Sequence, residues 1–246
     1  MDRIIYTAMS GAKHILEKQA TTSNNLANAS TTGFRAQLDS FRAVPVLDTA
    51  LPTRAFVTDS TVGTDFTPGP IQQTGRDLDV AVQGSGWISI QLPDGSEAFT
   101  RDGSLKTDEN GVLQTRGGAT VLGDGGPITI PPGVTISVAK DGTVTGIESG
   151  FKPGAATVLG RIKLVNPPQE NIVRGDDGLF RLKDGTTPDA DANVALVGGA
   201  LENSNVNVVD AMVDMISLAR QFELQMSMLK NVESNDTKAA QIMSLS

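Results

Sequence analysis

The chain has 246 residues, 39% of them apolar and only 4% aromatic, with 26 glycines and 12 prolines; this length supports a sizeable core, and the composition suits short strands joined by tight turns. Its formal net charge is −8 and no block of Lys or Arg occurs, so there is no electrostatic footprint for a phosphate backbone and nucleic acid is not an expected partner. The absence of cysteine excludes disulfides, thiolate metal sites and cysteine nucleophiles.

In chain order, residues 3 to about 28 place Ile5, Ala8, Ala12, Ile15 and Leu26 on a 3/4 spacing, with Gln19 and Thr22 filling the same seam. This predicts an amphipathic helix with a thin stripe, weakened by Gly11 at about 1 kcal/mol relative to Ala. The run from Asn24 to Gly33 is rich in residues that end helices. Residues 36–70 hold Pro45, Pro52, Pro68 and Pro70 among Thr and small residues, which predicts a connector with one possible strand at 55–58. A β-rich domain is expected over 71–201. Its apolar alternation appears at Leu78-Val80-Val82, Ile88-Ile90-Leu92, Val134-Ile136-Val138 and Ile162-Leu164. Turn dipeptides separate the runs: Asp94-Gly95, Asp102-Gly103, Asn110-Gly111, Asp124-Gly125, Asp141-Gly142, Asp177-Gly178 and Asp184-Gly185. The first three pairs recur evenly, as a meander of hairpins requires. At the other end Met212, Met215, Ala219, Phe222, Met226 and Leu229 alternate gaps of three and four, the pattern of a coiled-coil seam. Asn207 fits an N-cap with Asp210 three residues on, and the helix is expected to run to about residue 244.

The fold class that follows is α+β, an antiparallel all-β central domain inserted between N- and C-terminal coiled-coil-type helices. Residues 1–35 and 202–246 then form one discontinuous helical domain. The N-terminal part is weakly basic and the C-terminal part weakly acidic, so the two are mildly complementary. Two thin seams bury little between them, and association with further chains is the economical way to cover the rest.

Chemistry is hard to find. His14 is the sole histidine, which rules out His-pair metal sites and leaves a polar helix position as its reading. The acid pairs Asp77/Asp79, Asp108/Glu109, Asp176/Asp177 and Asp189/Asp191 all sit in or beside predicted turns, where Asp bonds its own backbone. Gly84-Ser85-Gly86 is followed by a β run rather than a helix, and so reads as a turn rather than a dinucleotide loop. Trp87 is expected in the β core. No catalytic residue, metal ligand or cofactor is assigned, and the chain is expected not to be an enzyme. The N-terminus lacks the uninterrupted apolar run of a cleaved secretory signal, and no stretch approaches the roughly 18 apolar residues of a membrane helix. Either the protein is cytoplasmic, or it leaves the cell by a route without signal cleavage.

The segment Asn24-Asn25-Leu26-Ala27-Asn28-Ala29-Ser30-Thr31-Thr32-Gly33-Phe34-Arg35 resembles the N-terminal signature of the flagellar rod and hook proteins. Gly75-Arg76-Asp77-Leu78-Asp79-Val80-Ala81-Val82 through Phe99-Thr100-Arg101-Asp102-Gly103 fits the same family, as does Leu201-Glu202-Asn203-Ser204-Asn205-Val206-Asn207 leading into Ala219-Arg220-Gln221-Phe222-Glu223. Residues 34–46 and the modest length resemble a proximal rod member; a distal rod member is the nearest alternative, and a secreted or phage-type β-rich oligomeric binding module is the reading outside the family. The resemblance implies a structural subunit of the basal-body rod that polymerises through its terminal helices and transmits motor torque to the hook. It implies other rod proteins, further copies of the chain and the flagellar type III export apparatus as partners, with delivery to the periplasm-spanning rod and no membrane insertion. Ile5, Ala12, Ile15, Leu26, Met212, Met215, Ala219, Phe222, Met226 and Leu229 are the expected assembly contacts. The signature residues Asn24, Asn25 and Asn28 are expected to bond backbone where the helix hands over to the next segment.

Overall fold

Helix α1 spans Asp2–Ala27 and helix α2 spans Val208–Ser244, close to the bounds that the apolar spacing predicts. Both belong to a computed structural model that describes residues 2–45, 55–148 and 156–244. Helix α2 begins as the capping residues require. The Asn207 side-chain oxygen accepts the Val209 amide at 3.0 Å, and the Asn207 side-chain amide donates to Asp210 at 2.7 Å. Its 37 residues give about 55 Å of helix.

The chain divides into two compact units, one made of Met1–Ala29, Ala36–Asp65 and Val206–Ser246, the other of Ser30–Arg35 and Phe66–Asn205. In the first unit α1 and α2 pack along one another, and α1 also touches a two-stranded antiparallel ribbon of β1 (Gln37–Pro45) and β2 (Ala55–Thr64). Gln37 lies opposite Thr64 and Pro45 opposite Ala55, with a bulge at Ser40/Phe41. Where the sequence predicts a connector with a single strand, the structure thus has two paired strands. The prolines do not prevent this: Pro45 is the last residue of β1 and Pro68 and Pro70 lie beyond β2, so none removes an amide from the interior of the ladder. Pro52 lies outside the described residues.

The second unit is built of short strands: β3 (Ile71–Gln73), β4 (Val80–Gln83), β5 (Trp87–Gln91), β6 (Glu97–Thr100), β7 (Leu105–Thr107), β8 (Leu113–Thr115), β9 (Thr120–Gly123), β10 (Gly126–Pro127), β11 (Val134–Val138), β12 (Thr143–Glu148), β13 (Ala156–Arg161), β14 (Leu164–Val165), β15 (Ile172–Arg174), β16 (Phe180–Leu182), β17 (Ala195–Gly198) and β18 (Ala200–Glu202). The main sheet runs β15-β16-β6-β5-β9-β8-β7, with β10 joined to β9 and β14 to β5, while β11-β12-β13, β4-β17 and β3-β18 form smaller sheets. Every pairing among the described residues is antiparallel. The expected even meander is therefore interrupted: β5–β6 and β7–β8 are hairpins at Asp94-Gly95 and Asn110-Gly111, but β6 and β7 are not neighbours. Gly103 explains the break. It is not a hairpin residue; a Cβ there would stand 1.6 Å from the Val80 carbonyl oxygen, so the dipeptide marks a close passage of two backbones instead.

Strand β5 divides the core in two, because successive side chains point to opposite faces. Ile88 and Ile90 join Val80, Val82, Leu105, Leu113, Val121 and Leu196 in the larger cluster. Trp87 joins Phe99, Val165, Ile172 and Phe180 in the smaller one, with its ring 4.4 Å from that of Phe180. The tryptophan is buried, as expected.

Candidate assembly surface

On α1 the seven positions that the sequence spacing selects, Ile5, Ala8, Ala12, Ile15, Gln19, Thr22 and Leu26, are all buried or half-buried, and Ser10, His14, Glu17, Thr21 and Asn25 form a second half-buried face, from which Thr21 and Asn25 bond Asp39 and Gln37 of the ribbon. Gly11 lies at the edge of the first face, where a Cβ would meet the side chain of Gln225 at an ordinary 3.6 Å. On α2 the corresponding face is Ala211, Met215, Leu218, Phe222, Gln225, Leu229 and Val232. Of the six positions expected there, Met215, Phe222 and Leu229 belong to it, whereas Met212, Ala219 and Met226 are exposed. The difference has a physical reason. Helix α2 is apolar over a wide arc, so a 3/4 count centres the seam midway between the covered edge and an uncovered one.

That uncovered edge is continuous. One residue further on, about 100° around each helix, α1 presents Tyr6, Met9, Lys13, Leu16, Ala20, Ser23 and Ala27, all exposed. Helix α2 presents Val209, Met212, Ile216, Ala219, Glu223 and Met226 in the same way. Tyr6 is 58% exposed and Ile216 57%, large values for apolar side chains on helices whose inner faces are already packed. Each helix therefore has an uncovered apolar edge beside its covered face, and α2 exposes Val213, Leu224 and Met228 on the other flank of that face as well.

The asparagines of the signature close the helix and start the ribbon. Asn25 Nδ2 donates to the Gln37 carbonyl at 2.9 Å and Asn25 Oδ1 accepts the Gln37 amide at 2.9 Å, so the side chain acts as a strand partner for the first residue of β1. Asn28 Nδ2 donates to the Asn24 carbonyl at 2.9 Å, which also accepts the Asn28 backbone amide at 3.1 Å, so one residue fastens the last turn of the helix twice. Gly33 and Phe34 are buried in the second unit. Gly33 has φ +67° and a Cβ would stand 2.3 Å from the Arg101 carbonyl carbon, so only glycine fits. Phe34 stacks under the Arg174 guanidinium at 4.6 Å.

Sequence reasoning missed one cluster of charge. Arg35, Arg101 and Glu202 are all buried, with Arg35 Nη2 2.6 Å and Arg101 Nη1 2.8 Å from the two oxygens of one carboxylate. Burial lowers the Arg101 pKa and the Glu202 charge opposes that. The available signal was Glu202 alternating with buried Ala200 along β18. The clustered acids do turn work: Asp108 accepts the amides of Asn110 and Val112, Asp177 that of Leu179, and Asp191 that of Asn193, while Asp79 takes the Thr74 hydroxyl and Arg76. Hydrogen bonds from the side chain and then the backbone of Ser96, Thr143 and Thr186 hold the carboxyls of Asp94, Asp141 and Asp184 below the usual range. No group of three potential metal ligands occurs among the described residues, and no described helix is long and apolar enough to cross a membrane.

Residues 5–35 match the flagella basal body rod protein family, residues 81–146 the flagellar hook protein FlgE/F/G D1 domain, and residues 197–242 the flagellar basal body rod FlgEFG protein C-terminal family. The chain is 48% identical to the flagellar basal-body rod protein FlgF of Escherichia coli K12 and 47% identical to that of Salmonella typhimurium LT2, over the full length of all three chains. It is 31% identical to the rod protein FlgG of Buchnera aphidicola from Acyrthosiphon pisum, covering 89% of this chain and 92% of that one.

Proposed function

The chain belongs to the FlgF family of flagellar basal-body rod proteins and is a structural subunit of the proximal rod, and from that premise we propose that it assembles through the outer stripes of its two terminal helices. The observation that carries this is the second stripe. A helix pair that has satisfied its inner face still exposes Met9, Leu16, Met212, Ile216 and Met226, and burial against neighbouring helices is what would cover them. The inner positions Ile5, Ala12, Ile15, Leu26, Met215, Phe222 and Leu229 hold α1 and α2 together, so that each copy adds a paired unit rather than two loose strands of helix.

The neighbours in this reading are other rod proteins and further copies of this chain, and torque passes between them through axially staggered helices. The subunit reaches the basal body through the flagellar type III export apparatus, without signal cleavage. Incorporation tests the surface. A Met212→Asp/Met226→Asp chain should fold, be exported and fail to enter purified basal bodies, leaving cells non-motile. Normal basal-body content and swimming in that strain would remove the outer stripe from the interface.

A further inference from the structure

We propose that residues 30–35 form a latch that docks on and releases from the second unit as one piece, with the Glu202 carboxylate as its charge lock. The two arginines around Glu202 are not held alike. Arg101 has supports of its own: its Nη2 donates to the Gly84 carbonyl at 2.6 Å, its Nη1 reaches the Val82 carbonyl at 3.4 Å, and its guanidinium lies 5.3 Å from the Trp87 ring centroid. Arg35 has a fully buried side chain whose Nε and Nη1 meet no acceptor among the described residues, and its charge is compensated by Glu202 alone. Two buried cations thus share one anion, and without the anion one of them must leave, because an uncompensated buried charge costs several kcal/mol. Arg35 is the one free to go. It sits on a six-residue segment, whereas Arg101 follows β6 inside the sheet.

The rest of the segment is fastened at the same place. The Gly33 amide donates to the Glu202 carbonyl at 2.8 Å, the Asn205 amide to the Phe34 carbonyl at 3.4 Å, and Arg174 Nη1 to the Arg35 carbonyl at 2.9 Å. Glu202 Oε1 also accepts the Gly69 amide at 2.9 Å. The segment follows α1 in the chain, and Glu202 to Asn205 precede α2, so the lock grips both stretches by which the helices are joined to the β unit. It closes only when residues as distant as 35 and 202 have met. The consequence for assembly rests on the rod-subunit reading; the latch itself does not.

Hydrogen exchange on the purified full-length chain tests it, with Glu202→Gln and Arg35→Met/Glu202→Gln as variants. In Glu202→Gln the Gly33 and Asn205 amides should exchange roughly tenfold faster or more, while the Leu113 and Lys163 amides of the core keep their rates. In the double variant, which has lost the surplus cation, Gly33 and Asn205 should return to within about threefold of the original chain. Equal acceleration of latch and core, an unfolded Glu202→Gln chain, unchanged Gly33 exchange, or a double variant no better protected than the single one would each overturn the latch.

Discussion

Gly33 and Asn25 show how single residues of the signature act through backbone rather than through chemistry. Gly33→Ala must place a Cβ against the Arg101 backbone at positive φ, and should cost the second unit about 3 kcal/mol in urea unfolding. Asn25→Ala leaves the Gln37 amide and carbonyl without the side chain that pairs both, and should cost the first unit about 1–2 kcal/mol. The first residue type was legible as a helix stop, but its true constraint, a backbone 2.3 Å from the missing Cβ, comes from residues some seventy positions away. Acid acts at the same scale. The Arg181 guanidinium, donating to Asp177 at 3.0 Å and 2.5 Å, holds that carboxyl below its ordinary value. A depressed carboxyl contributes stability that is present above its unfolded pKa of about 3.9 and is lost as the pH falls through the folded value. The β15–β16 hairpin should therefore weaken below about pH 4 in the original chain, and Asp177→Asn should remove that acid dependence when followed by hydrogen exchange at Gly175 and Leu179.

At the scale of elements the proposed assembly gives the covered and uncovered stripes of each helix separate tests. Leu218 is 4% exposed on the inner face, and Leu218→Asp should disrupt the α1–α2 pair, seen as lost helicity and a lower melting temperature. Ile216→Asp lies on the outer stripe and should change the stability of the isolated chain by no more than about 0.5 kcal/mol while removing it from the rod. Gly11→Ala should stabilise the helix pair by up to about 1 kcal/mol, since the added Cβ meets only the Gln225 side chain. Both helices and the asparagine cap of α2 were readable from spacing, because periodicity and capping are local. The apolar face of α1 was readable, as its apolar residues occupy one narrow arc, but its half-buried polar face with Thr21 and Asn25 was not, since polar residues give no apolar period. The α2 face was not, because Ala211, Met212, Met215, Ile216, Leu218 and Ala219 spread over an arc wide enough for two seams. The β1–β2 ribbon and the sheet order were hidden for another reason: pairing partners such as Gln37 and Thr64, or Ile88 and Leu164, are far apart in sequence and nothing local announces them.

At the scale of the molecule, the chain is a β unit of short antiparallel strands and a unit that joins its two terminal helices to the β1–β2 ribbon, and in the proposed assembly the outer stripes of the helices are what neighbouring subunits cover. The absence of cysteine makes this directly measurable, because any introduced thiol is the only one in the chain. Single variants Ile216→Cys and Gln221→Cys place that thiol on opposite sides of α2, both at exposed positions. Treating purified basal bodies with a short crosslinker that joins the thiol to neighbouring amines should link the Ile216→Cys chain to adjacent rod subunits and leave the Gln221→Cys chain largely unlinked. Efficient linkage from position 221 with none from position 216 would contradict the assembly surface derived from these two helices.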